Sequence, residues 1–365
     1  MSEEFKLHIV EGEEKLSAIA QKHNISIEEL KKANPEMRTF FSGFFGGAEY
    51  ASAMQKIRIP IIKEVIIKPT KLVDPFSSLT FESKARYRCE QINISNVNGN
   101  MSHFAEQKYQ YLLQQSLDQG IAKVVMEEHL YRFEPSTLNE TFDFLSKTEF
   151  IKNNVILSLS KETGGIQNVK NKKQINEKWI KFRENELFEN SFIKKLNQTN
   201  PKGVNDLIAM GNKQFSPVYE LAEEEYRRNL FYFICFDQYL FTPIDECINV
   251  EFEYLSTIIP PVIVPIEFRY DKISENNDFL KIRKVGTLKI TPEILNQIQL
   301  KYDEIHKPNI KFGFTEYKLE FRVRLEFNKK DRLVETADLF IMEQIADNID
   351  NSCEFHLKRL QNFTK

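Results

Sequence analysis

Residues 317–342, YKLEFRVRLEFNKKDRLVETADLFIM, decide the fold class. Apolar and polar residues alternate through 317–327, the period of two that sends one row of side chains inward and the other outward. Residues 328–332, NKKDR, hold no apolar side chain, and 333–342 then read as a second strand. A strand, a lysine-containing turn and a strand make an antiparallel hairpin.

Further strands are expected on either side: 250–254, 262–270 and 279–285, and earlier 84–94, 103–113 and 121–133. Residues 155–169, VILSLSKETGGIQNV, read as another hairpin, turning at Gly164-Gly165. Helices are expected at 136–150, at 174–196 around the single tryptophan Trp179, and at 218–233. One more begins after Thr291-Pro292, where Thr caps and Pro takes the first turn. Strand runs with helices grouped between them favour α+β with antiparallel sheet over a doubly wound parallel fold. The strand–turn–strand of 155–169 is echoed at 323–336, which points to two similar halves.

The 365 residues exceed one ordinary domain. The division expected is 1–62 as a small binding module, 63–80 as a proline-containing linker, 81–215 as an α+β domain, and 216–365 as a second half or its continuation. Hydrophobic residues make up 41% of the chain, with 30 Phe and 13 Tyr, enough for a large aromatic core. The net charge of −3 comes without a basic stripe, so nucleic acid is not expected as a partner. Cys89, Cys235, Cys247 and Cys353 are too scattered for a ligand pair and read as structural thiols. The first ten residues lack the basic start and apolar run of a secretory signal. The longest apolar run, 258–266 (IIPPVIVPI), is cut by three prolines, so no membrane span is expected. A soluble chain made in the cytoplasm is expected, with any export left to a dedicated apparatus.

The N-terminal sixth is the most specific stretch. Residues 5–10 (FKLHIV) read as a strand, and 14–23 carry Leu16, Ile19 and Ala20 at one-face helical spacing. A second helix, 26–33, opens with the capping pair Ser26 and Glu29 and is stopped by Asn34-Pro35. Residues 57–60 (IRIP) form a second strand. His8, Val10, Leu16, Ile19, Ala20, Ile27, Leu30, Asn34, Pro35, Ile57, Ile59 and Pro60 resemble the LysM family in order and spacing. That resemblance implies a βααβ module binding N-acetylglucosamine-containing glycans, peptidoglycan or chitin, in a groove between the loop after the first strand and the loop before the last. Its groove would involve Glu13, Glu14, Lys15, Leu16, Asn34 and Pro35. Those loops depart from the family: Glu13-Glu14-Lys15 replaces Gly-Asp-Thr, and Met54 replaces a glycine. A Phe/Gly-rich insert enlarges the second loop. Its Phe40, Phe41, Phe44 and Phe45 either pack on the second domain or serve as an exposed partner anchor.

The chain shows no metalloprotease, nucleophile-elbow, phosphate-loop or dinucleotide motif. Glu127-Glu128-His129 is the one carboxylate–imidazole cluster, with Glu127 and His129 sharing a face if the strand is regular. It reads as an ordinary strand surface, as Glu223-Glu224-Glu225 beside Arg227-Arg228 reads as a solvated helix face. Trp179 reads as core. No catalytic residue, metal site or cofactor is expected. The leading expectation is a non-enzymatic adaptor with an N-terminal LysM-like module, an accessory of a bacterial contractile injection or toxin-secretion system, its partner a protein. The rivals are a peptidoglycan- or chitin-binding protein and a cell-wall hydrolase targeted by the module. The hydrolase would need convergent carboxylates or a Cys/His pair in one cleft, as would arise if Glu127, His129 and a cysteine converged.

Overall fold

The computed structural model describes residues 5–10, 14–23, 25, 27–37, 39–41, 49–51, 55–60 and 79–360. Its backbone divides into two compact units, Met1–Val65 and Ile66–Lys365, each with a hydrophobic core of its own.

The first unit runs β1 (Phe5–Ile9), β2 (Glu14–Lys15), α1 (Leu16–Lys22), α2 (Ile27–Ala33), β3 (Thr39–Phe41), β4 (Glu49–Ala51) and β5 (Lys56–Pro60). Strands β1 and β5 pair antiparallel, with His8 opposite Ile57. Leu16, Ile19 and Ala20 all turn inward from α1, as their spacing requires, and meet Val10, Leu30 and Ile57 in the small core. A second sheet of order β2-β4-β3 was not foreseen. It arises where the chain on either side of the Phe/Gly-rich insert pairs, Phe40 opposite Tyr50 and Phe41 opposite Glu49. Ser26, Phe44 and Phe45 lie outside the described residues.

The second unit is α+β, built on one antiparallel sheet of eleven strands with several helices. Its strands are β6 (Ser83–Val97), β7 (Asn100–Ser116), β8 (Ile121–Glu134), β9 (Val155–Leu159), β10 (Ile166–Val169), β11 (Val250–Leu255), β12 (Ile263–Glu275), β13 (Phe279–Leu288), β14 (Tyr317–Asn328), β15 (Leu333–Ile345) and β16 (Ile349–Leu360). The order is β10-β9-β8-β7-β6-β16-β15-β14-β13-β12-β11. Strand β16 was missed in the sequence, yet it joins the two runs of strands, pairing with β15 on one side and β6 on the other. Residues 81–215 and 216–365 therefore share one continuous sheet. The two hairpins that echo each other sit differently in it: β9–β10 at an edge, β14–β15 in the interior.

The helices are α3 (Asn139–Ile151), α4 (Lys172–Asn185), α5 (Ser191–Thr199), α6 (Pro201–Gln214), α7 (Ala222–Arg228), α8 (Leu230–Cys235), α9 (Pro292–Ile305) and α10 (Lys307–Ile310). The single helix expected over 174–196 is two, because the Asn190 side chain accepts from the Phe192 amide at 3.0 Å and starts α5 afresh. That expected over 218–233 breaks at Asn229, whose side chain caps α8 in the same way. Apart from Leu230, α8 is wholly buried. It crosses the inner face of the sheet, with Phe231 stacked on Tyr111 (4.2 Å between centroids) and Phe233 against Phe252, Phe268 and Phe321. A helix apolar on every side is at home only in such a place. Trp179 is core, as read. Gly211 of α6 lets the ring approach, since a Cβ there would come within 2.3 Å of it.

Candidate functional site

In the first unit, the Asn34 side chain ties the end of α2 to β5. Its Nδ2 donates to the carbonyls of Leu30 (2.8 Å) and Arg58 (2.6 Å), and its Oδ1 accepts from the Arg58 amide at 2.7 Å. Among the residues assigned to the groove, then, Asn34 has a structural task. Leu16 is 1% exposed and packs in the core. Pro35 and Lys15 lie at the surface. Glu14 faces His8, Oε2 to Nε2 at 3.1 Å, and His8 Nδ1 in turn meets His23 Nε2 at 3.1 Å. Burial, then the neighbouring His8, lowers the pKa of His23 below the usual imidazole value. This His–His–Glu chain was not read from the sequence, where the three residues are separated by six and fifteen positions. Glu13 lies outside the described residues, and of Phe40 and Phe41 only the backbone is described.

The outer face of the β1–β5 ribbon is unusual. Leu7 and Ile9 point to solvent, 61% and 52% exposed. Directly across the ladder stand Arg58 and Lys56, with the Arg58 guanidinium also over the Phe5 ring at 5.9 Å. Single exposed apolar residues are common on protein surfaces. Two in register on one strand, framed by two cations, form an amphipathic strip.

The cluster at Glu127–His129 is not assembled as expected. A β-bulge opposite Gln110 and Tyr111 interrupts the alternation of β8, and an extra residue turns neighbouring side chains to opposite faces. Glu127 accepts from Arg86 (2.8 Å) and Gln110 (2.9 Å), whereas His129 is buried against Ser146 of α3 at 2.6 Å. Cys89 is one strand further along, with Tyr109 between it and His129 in the ladder. The acidic run on α7 also differs from a plain solvated face. Glu224 pairs locally with Arg227, but Glu223 reaches Lys172 (2.9 Å) and Glu225 reaches Lys152 (3.6 Å) on other elements.

His129 supplies a testable consequence. Burial lowers its pKa to about 4 from the free value of 6.5, and the ring is stacked on Tyr109 at 4.5 Å. Between those values the unfolded chain binds a proton that the folded chain refuses. Stability present above pH 6.5 is therefore lost as the pH falls, by roughly 2–3 kcal/mol near pH 4.5. Urea unfolding at about pH 7.5 and about pH 4.5 should show that loss, and His129→Gln should remove most of it. An equal pH dependence in both chains would contradict the assignment.

Two buried polar constellations escaped the sequence reading. Lys284 on β13 pairs with Asp237 at 2.7 Å, both side chains under 10% exposed. Glu343 on β15 is fully buried and accepts from the hydroxyls of Tyr254, Ser256, Thr257 and Tyr317 and from the Thr257 and Ile258 amides. A signal existed in each case: a charged residue at an inward position of an alternating strand, with Ile282 beside Lys284 and Ile341 and Ile345 beside Glu343. Among the described residues no group of three metal-ligating side chains converges, and no helix is long and apolar enough to cross a membrane.

No family model and no curated protein matches this chain. Among solved structures, one described as "Lipid-protein interactions in lipovitellin" is similar over 76% of this chain at 9% identity, with a TM-score of 0.36. The chain spans about a quarter of that protein, 25% of its length.

Proposed function

We propose that the protein is a non-enzymatic adaptor, in which the LysM-like first unit docks a protein partner while the sheet unit serves as its body. The observation that carries this reading is the strip of Leu7 and Ile9 between Lys56 and Arg58. Apolar side chains held in water at adjacent outward positions gain free energy when a partner covers them, and the two cations favour an acidic rim. The altered groove supports the same reading. Glu14, in the stretch that departs from the family, is turned onto His8. The role proposed is that of an accessory in a bacterial contractile injection or toxin-secretion system, made in the cytoplasm and exported, if at all, on that apparatus. In the same reading β6–β10 and β11–β16 are two similar halves joined at the β6–β16 seam.

Purification of the tagged full chain from its native host tests this. The chain should co-sediment with tail or secretion components, and Leu7→Ser combined with Ile9→Ser should release it while leaving its circular dichroism unchanged. Recovery of the parent as a lone chain would overturn the proposal. The glycan alternative is separated by co-sedimentation with insoluble peptidoglycan. The parent should stay in the supernatant, and its capture would favour glycan binding instead; capture of only the Glu13→Gly, Lys15→Thr chain, which restores the family's residues, would show that the natural groove has lost its ligand.

A further inference from the structure

Near the β6–β16 seam, the inner face of the sheet borders a cavity of about 440 Å³. Phe233 of α8, Phe252 of β11, Phe321 of β14 and Ile341 of β15 make its apolar wall. The rings hold one another in place, Phe233 lying 5.2 Å from Phe252 and 5.3 Å from Phe321. Along the polar rim, Asn351 donates to Thr257 Oγ1 at 2.9 Å. The volume falls within the range of small-molecule sites, which are typically apolar with a few fixed polar groups.

Among the described residues one charged side chain lines this cavity, Arg228 at the end of α7. Its Nε–H is buried without an acceptor among the described residues. Among the described residues its guanidinium has no ion pair, although three glutamates precede it on the same helix. Those acids are engaged elsewhere: Glu223 with Lys172, Glu224 with Arg227, Glu225 with Lys152. Arg227, by contrast, also donates to the Ile166 carbonyl. Lys284, beneath Phe233, is neutralised by Asp237. A buried donor left unpaired costs about 1–3 kcal/mol, and an arginine fork matches a carboxylate.

From the coincidence of an apolar cavity with one unpaired guanidinium, we propose that the sheet unit binds a small amphipathic monocarboxylate. Its hydrocarbon chain lies against Phe233, Phe252, Phe321 and Ile341, and its carboxylate receives the Arg228 guanidinium. The site belongs to the second unit and stands or falls independently of the docking strip on the first.

Calorimetric titration of the full chain tests it, with decanoate and decanol as probes below their aggregation limits. Decanoate should bind saturably at one site per chain, and decanol at least tenfold more weakly, because it lacks the charge. Arg228→Met should weaken decanoate about tenfold or more and leave decanol unchanged, as removal of one charge-assisted hydrogen bond requires. Arg228→Lys should fall between the two, and circular dichroism should confirm that each variant is folded. Absence of decanoate binding, equal affinity for the two probes, or an undiminished affinity in a folded Arg228→Met chain would each overturn the proposal.

Discussion

Replacing Lys284 by methionine is expected to destabilise the protein by about 3–5 kcal/mol, the range for removing one partner of a buried ion pair. Lys284 and Asp237 are 6% and 9% exposed, and Nζ lies 2.7 Å from Oδ2. The carboxylate also accepts from the Tyr270 hydroxyl at 2.8 Å and the Gln238 amide at 2.7 Å, while the ammonium sits 3.8 Å from the centroid of Phe233. Burial pulls the lysine below its ordinary pKa, and Asp237 opposes that pull. Methionine keeps the bulk but leaves Asp237 charged, desolvated and held by two neutral donors. The test is a double-mutant cycle in urea. Asp237→Asn in the Lys284→Met background should recover a substantial part of the loss, because it removes the orphaned charge while keeping an acceptor for Tyr270 and Gln238. A single-variant loss below about 1 kcal/mol would mean that the pair is solvated and contributes little, as surface pairs do. The neighbourhood leaves little room to adjust. A Cβ on Gly164 (φ +66°) would lie 1.8 Å from the Asp237 carbonyl oxygen, so the β9–β10 turn presses directly on the residue that Lys284 neutralises.

Much of this architecture was legible because antiparallel strands with one buried face declare themselves by alternation. Each expected strand from 84 onward has a counterpart, and they make the antiparallel sheet of the α+β unit. The misses have identifiable causes. Strand β16 carries Asn351 at an inward position, which breaks the apolar alternation of Ile349, Cys353, Phe355 and Leu357. The helix breaks at Asn190 and Asn229 depend on side-chain caps, which compete with an otherwise continuous periodic pattern. Glu127 and His129 were placed on one face because counting by two presumes a regular strand, and a bulge is invisible to that count. In the first unit Asn34-Pro35 marked the end of α2 correctly, since that signal is local. The link from Asn34 to Arg58 spans 24 positions and only the fold could supply it. The candidate cavity is likewise non-local, assembled from residues that are more than a hundred positions apart.

Glu343 gives the second large effect, and here the side chain chosen decides the sign of the argument. Among the described residues no cation pairs with this carboxylate. Oε2 accepts from the Thr257 amide (2.8 Å), the Thr257 hydroxyl (2.6 Å), the Ile258 amide (3.3 Å) and the Tyr254 hydroxyl (3.2 Å). Oε1 accepts from the Tyr317 hydroxyl at 2.9 Å and from Ser256. Burial, and then the Glu343 carboxylate, hold both tyrosines above their usual pKa, so they remain donors. The two amides can only donate, but every hydroxyl can also accept. Glutamine can therefore keep its oxygen toward the amides and turn its NH2 toward Ser256 and Tyr317, so Glu343→Gln should cost only about 1–2 kcal/mol. Leucine offers neither group an acceptor and should cost about 3–5 kcal/mol, since several buried donors lose their partner together. The loss should be local before it is global. Amide exchange at Thr257 and Ile258 should accelerate in Glu343→Leu more than in the β6–β7 hairpin, because Glu343 accepts from both of these amides. Equal losses for glutamine and leucine would show that the negative charge, rather than the acceptor geometry, stabilises this segment.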